Sequence, residues 1–237
     1  MQRWLKFAKY LREFGWDPII YTPENPEGPV EDHSLLKDIP ENLTVIKKPI
    51  KEPYGLYKKL TGKSKEQKIQ TAFLSESTSK NALLENLSVW VRGNLFIPDA
   101  RKSWIKPSVK FLSKYLIEEQ IDTIVTTGPP HSMHMIGYHL KKKLHISWLA
   151  DFRDPWTNID YYDQLKLTKR ADRMHHKLEK EVLTNADAVT VVSPGMIRDF
   201  KEKVERDYFF IPNGYDEADM KSGEKTLKSE KFTVSHI

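Results

Sequence analysis

Apolar residues recur along this chain with two periods, and the switches between them draw a map of elements. Near the start, Trp4, Leu5, Phe7, Ala8, Leu11 and Phe14 fall at helical spacing. That predicts a helix over residues 2–14, stopped by Gly15. WDPIIYTP (16–23) reads as a short strand closed by proline, and LTVIKKP (43–49) as another. Residues 50–80 are lysine-rich with little periodicity, which predicts loop or loose helix, and residues 81–92 read as helical. From residue 105 the pattern becomes regular. A helix is expected to start at Pro107 and run to about Gln120, since proline suits a first helical turn. Strand IDTIVTTG (121–128) follows, then a helix over 130–143 and strand HISWLADF (145–152). A long helix over 167–184, strand AVTVVS (188–193), a helix over 195–204 and strand YFFIP (208–212) complete the series before a last strand, FTVSHI (232–237).

Continuous β-branched runs that alternate with helices of about a dozen residues imply βαβ units and a parallel sheet covered on both faces. The expected fold is α/β, a doubly wound, mostly parallel Rossmann-like sheet. Such a fold normally opens with a strand and a glycine-rich turn, whereas this chain opens in a helix. A first strand upstream and a second domain downstream are therefore expected. The alternative is a true start at Met1, with a sheet one strand smaller and FTVSHI added at its edge.

Composition narrows the classes. The chain has 237 residues, of which 39% are hydrophobic and 30% charged, so a substantial core is expected and global disorder is not. There is no cysteine, which removes disulfides, thiolate metal sites and a cysteine nucleophile. The net charge of +5 suits phosphate-bearing ligands or anionic surfaces, but no nucleic-acid motif accompanies it. No apolar run approaches the roughly 20 residues that span a bilayer. The stretch 47–68 carries eight lysines against two glutamates, interleaved with Tyr54, Leu56 and Tyr57. It reads either as a peripheral contact with anionic membrane or as a solvated loop.

In open parallel sheets, ligands bind beyond the carboxyl ends of the strands. Here those ends carry TGPPHS (127–132), DFRDPW (151–156), SPG (193–195) and PNGYD (212–216). His131 stands at a helix N-terminus, where free amides favour a phosphate, a sugar hydroxyl or an acceptor group. It reads as a positioning or proton-transfer residue, or else as part of a helix cap with Ser132. Asp151, Arg153 and Asp154 follow a buried strand. The carboxylates suit hydrogen bonds to sugar hydroxyls or a base role, and the guanidinium suits a phosphate. The alternative is an internal Asp–Arg–Asp clamp with Trp156 as a lid on the core. Asn213-Gly214 reads as a turn at positive φ. The vicinal His175 and His176, read as helix-surface residues, point about 100° apart and make poor joint metal ligands; no metal site is expected.

RGNLFIPDAR (92–101), TGPPHS, WLADFRDPW (148–156), LEKEVLTNADAVTVVS (178–193) and IPNGYD (211–216) together resemble the N-terminal domain of GT-B glycosyltransferases of the family 4 type, from bacterial polysaccharide biosynthesis. The resemblance covers nearly the whole chain. It implies two Rossmann-like domains facing across a cleft. Residues 1–216 would be the acceptor-side domain lacking its first strand. Residues 217–237 would be the linker and first strand of an absent donor-binding domain. The family's glycine-rich loop and donor-gripping glutamates are missing here. The implied reaction is retaining transfer of a sugar from a nucleotide-sugar donor to a hydroxyl on a glycan or lipid-linked acceptor. It needs no cofactor beyond the donor, and the fragment alone is expected to be inactive. His131, Asp151, Arg153 and Asp154 take the catalytic positions. Gly128, Ser132, Trp156, Asn213, Gly214 and Asp216 take the substrate-binding positions. The implied location is cytoplasmic, peripheral at the inner face of the cell membrane. Two rivals remain: a non-catalytic nucleotide- or sugar-binding module, and a dehydrogenase or epimerase, which would need a G-x-G-x-x-G turn that does not occur.

Overall fold

A computed structural model describes residues 2–26, 32–50, 89–91 and 93–216. Helix α1 (Gln2–Tyr10) passes into a 3₁₀ turn (Leu11–Phe14) and stops at Gly15, whose φ of +81° needs a residue without Cβ. Strands β1 (Ile19–Pro23) and β2 (Thr44–Lys48) pair in parallel, with Ile19 opposite Thr44 and Pro23 opposite Lys48. Helix α2 (Lys102–Glu118) then leads into a regular series. It comprises β3 (Thr123–Gly128), α3 (Ser132–Leu144), β4 (Ser147–Phe152), α4 (Lys169–Asn185), β5 (Ala188–Val191), α5 (Pro194–Lys203) and β6 (Phe209–Phe210). These four strands form one sheet in sequence order, every pair parallel.

Helices lie against both faces of this sheet, as the Rossmann-like expectation requires. Adjacent strand residues point to opposite faces. Thr126 Oγ1 meets His134 of α3 and accepts from Trp148 Nε1, while Thr127 Oγ1 reaches Asp151, which is also held by Trp4 of α1. The larger core fills the α3–α5 side with Trp148, Phe152, Val182, Leu183, Val189, Val191 and Phe200. Burying a Phe side chain completely is worth about 1.5–3 kcal/mol, so this cluster dominates the packing. α3 lies close to β4 because Gly137 has no Cβ; one built there would meet Trp148 Nε1 at 2.4 Å. A second core joins Trp104 and Leu116 of α2 to Ile136 and Leu140 of α3. Tyr21 of β1 and Ile124 of β3 both lean on it, and Tyr21 stacks on Trp104 at 4.8 Å. The two sheets thus share one helical layer.

α2 starts at Lys102, five residues before the expected start, and Pro107 sits inside its second turn. In the second turn the ring forgoes one i→i−4 bond, a cost this helix carries, so proline marks the region of the start and not the first residue. Within the expected helix over 81–92, residues 89–91 are helical, and so are residues 93–95 beyond it. The rest of that segment, most of the lysine-rich stretch 47–68, and the linker and strand expected over 217–237 lie outside the described residues.

Candidate site at the carboxyl rim

β3 ends at Gly128, and glycine is required there for packing. A Cβ on it would lie 2.5 Å from His134 Nε2 and 3.1 Å from His131 Nδ1. The two histidine rings close on this one residue, so Gly128 serves their placement and is itself buried. His131 caps α3 without a side-chain cap bond. The amide and hydroxyl of Ser132 instead donate to Asp99, at 2.7 and 2.8 Å. An internal carboxylate therefore fills the anion position at this helix end, and Ser132 is spent on it. Desolvation raises the Asp99 pKa, although the Ser132 and Arg101 amides oppose the shift.

The strand-end charges separate sharply. Asp151 is fully buried and surrounded by donors. Arg3 Nη2 (3.1 Å) and Thr190 Oγ1 (2.8 Å) reach Oδ1; Trp4 Nε1 (2.7 Å) and Thr127 Oγ1 (2.9 Å) reach Oδ2. Desolvation works to raise its pKa, but Trp4, Thr190 and Arg3 outweigh it and hold the carboxyl below its usual value. Asp151 is thus a clamp between β4, β5 and α1: of the two readings the sequence left open, its burial and four donors fit the internal one and not a group open to substrate. Arg153 has left the strand. Its amide donates to the Gly128 carbonyl at 2.9 Å and its Nη2 to the Pro129 carbonyl. Its Nε has no partner among the described residues. Asp154 is exposed to solvent.

Trp156 is buried, so a substrate-facing role is corrected too. Its ring stacks on His131 at 4.5 Å with planes 2° apart, and its Nε1 donates to His175 Nδ1 at 3.1 Å. His175 is therefore not a surface residue as expected, while His176 remains exposed beside Asp172. With Nδ1 accepting, the other ring nitrogen of His175 carries the proton toward the Gly93 carbonyl at 3.3 Å. His134 is wholly buried. Trp148 Nε1 donates to Thr126 Oγ1, and that hydroxyl shares a second hydrogen bond with His134 Nδ1 at 2.9 Å, a pairing that either imidazole tautomer can make. Burial pushes His134 down to about 3 and holds His131 well below the usual imidazole value; nearby Arg153 adds to both shifts. The site therefore works with neutral imidazoles. Below it, Glu179 is wholly buried and accepts from Lys203 Nζ at 2.7 Å and Thr157 Oγ1 at 2.5 Å, anchoring the loop after Trp156.

The last segment at the rim is held from α1. Arg3 donates to the carbonyls of Pro212 (2.8 Å) and Ile211 (2.9 Å) and touches Asn213 Oδ1 at 3.4 Å. Asn213 and Gly214 are exposed, but neither has a positive φ, so the expected tight turn is corrected. Asp216 is buried against Lys6 (2.9 Å) and Lys9 (2.8 Å), which also bind Asp38; it too is a clamp and not an open group. The 3-residue spacing of Arg3, Lys6 and Lys9 places them on one face of α1, a pattern visible in the sequence. Their partners were not visible, being up to 210 positions away. Of the expected site residues, the rim keeps Asp154, Asn213 and Gly214 at the surface and Arg153 half-buried, while His131 is buried. Among the described residues, no three metal-ligating side chains come together.

The family model described as Glycosyltransferase Family 4 matches residues 65–219. No curated protein and no solved structure gave a match.

Proposed function

The chain belongs to Glycosyltransferase Family 4, and from that premise we propose that it is the acceptor-side domain of a retaining sugar transferase. The donor is a nucleotide-sugar, and the acceptor is a hydroxyl on a glycan or a lipid-linked carrier. In the reaction the acceptor oxygen bonds to the donor's anomeric carbon. The bond from that carbon to the diphosphate breaks, the diphosphate leaves with the electron pair, and the hydroxyl proton passes to a base. No cofactor beyond the donor is required, and the location is cytoplasmic, peripheral to the inner face of the membrane.

The observation that carries this reading is the match over residues 65–219, which spans every strand of the four-stranded sheet and the rim above it. At that rim, Arg153 supplies a cation beside the exposed Asp154. Their chemistry suits a phosphate oxygen and a sugar hydroxyl respectively. His131, neutral and stacked on Trp156, supplies a hydrogen-bonding ring of fixed orientation. Asn213 and Gly214 are exposed just beyond β6, at the same carboxyl edge of the sheet. Holding an acceptor in place is worth several kcal/mol, roughly what positioning alone provides in oriented reactions. The test is a donor screen on the full-length protein, reading release of nucleoside diphosphate in the presence of lipid and glycan acceptors. Acceptor-dependent release with at least one donor is expected. A folded protein that turns over none of them overturns the proposal.

A further inference from the structure

On α2, Lys102, Lys106, Lys110 and Lys114 follow one another at four-residue steps, and all four are exposed. The row is about 18 Å long at 1.5 Å per residue and drifts over about 120° of the helix surface. Lys48 joins it from β2, its Nζ lying 4.1 Å from the Phe111 ring centroid. Like charges at i,i+4 destabilise a helix, and this row makes that unfavourable pairing three times. Lys114 has Glu118 at 3.4 Å, and Lys102 donates to the Leu95 carbonyl at 3.0 Å. Lys106 and Lys110 have no acidic partner among the described residues. A face serving only solubility would intersperse glutamates, as α4 does with Lys177 and Glu181 and α5 with Lys201 followed by Glu205. Apolar side chains flank the row: Ile117, 65% exposed, lies one turn beyond Lys114 on the same sector, and Leu95, 55% exposed, lies at the Lys102 end.

We propose that this face of α2 docks on a bilayer carrying anionic lipid, with the lysines at the headgroups and Ile117 and Leu95 entering the interface. A basic row alone suits any polyanion. The exposed apolar residues at both ends favour the membrane over a soluble polyanion, which offers no apolar interior to bury them. The surface is separate from the carboxyl-rim residues, and vesicle binding is read without turnover, so it stands or falls apart from the transferase proposal.

The experiment is cosedimentation of the full chain with phosphatidylcholine vesicles, with and without about 30% phosphatidylglycerol, across a salt series. Binding is expected only with the anionic lipid, weakening as salt rises. The double reversal K106E/K110E keeps the helix, since it creates opposite-charge pairs with Lys102 and Lys114. It should weaken binding by about tenfold or more, whereas the charge-matched control K177E/K201E should change it less than about threefold. Ile117→Ser should also weaken it. Circular dichroism melts establish that each variant is folded. Equal binding to neutral vesicles, or equal loss in the two double reversals, overturns the proposal. So does an unaffected Ile117→Ser variant whose binding heparin competes away, an outcome that assigns the face to a soluble polyanion.

Discussion

Two residues separate Asp151 from Asp154, yet one is sealed and the other faces water. Asp151 receives four donors, one of them the nearly buried Arg3 guanidinium. Asp151→Asn keeps the shape but turns an NH₂ toward some of those donors and leaves Arg3 without its counter-charge. Breaking such a pair costs about 3–5 kcal/mol, and denaturant unfolding should show a loss of that order. A change below about 1 kcal/mol would mean that the clamp contributes little. Arg153→Ala is the contrasting change. Among the described residues its guanidinium reaches only a carbonyl, so stability should fall by about 1 kcal/mol or less, while turnover of the complete enzyme falls at least tenfold. Unchanged turnover would remove Arg153 from the proposed site. The sequence placed both residues at the right strand end, because a buried strand running into charges has to end there. It did not distinguish clamp from open group. That difference lies in Arg3, Trp4, Thr127 and Thr190, which reach Asp151 from three other elements.

At the scale of elements, the series from β3 to β6 was legible because each strand is an apolar run and each helix carries its own period. The structure moves those boundaries by a few residues at most. Two things were hidden. Pro107 drew the start of α2 five residues too late, since local preference does not separate a first turn from a second. The role of α1 as a basic clip across Asp38, Asp151 and Asp216 depends on contacts that periodicity does not encode. The β3–α3 junction shows the same limit. TGPPHS marked a turn into a helix, but Asp99 as the group that fills the helix end lies 33 residues upstream of Ser132. Gly128 at that junction gives a sharp prediction. Gly128→Ala drives a methyl group into two buried imidazoles, with His134 held in place by Thr126 and stacked on Phe152 at 4.3 Å. Overpacking of this kind costs about 1–3 kcal/mol. A melting curve at the wild-type position would show that the rings yield freely.

Across the whole molecule, acid should act through its buried histidines. His131, His134 and His175 are all held below the ordinary imidazole value, chiefly by desolvation, with His134 down to about 3. In the unfolded chain each would take a proton near pH 6.5. Below that pH the unfolded state binds more protons than the fold does, so stability rises with pH up to about 7 and falls as pH drops. Each such histidine contributes up to about 1.4 kcal/mol per pH unit. Asp151 works in the same direction at lower pH, because its depressed pKa gives stability that is lost as pH falls through the folded value. The two effects do not cancel, and stability should decline steadily from pH 7 to 4. The protonated form is also the wrong hydrogen-bonding species at His175, which could no longer accept from Trp156. Acid should therefore loosen the loop after β4 first, and tryptophan fluorescence should shift before the far-ultraviolet signal is lost. Urea unfolding at pH 7, 6 and 5 checks the sign. His134→Gln should flatten the slope by up to one proton; a profile already flat in the wild type would mean that these imidazoles are not buried neutral.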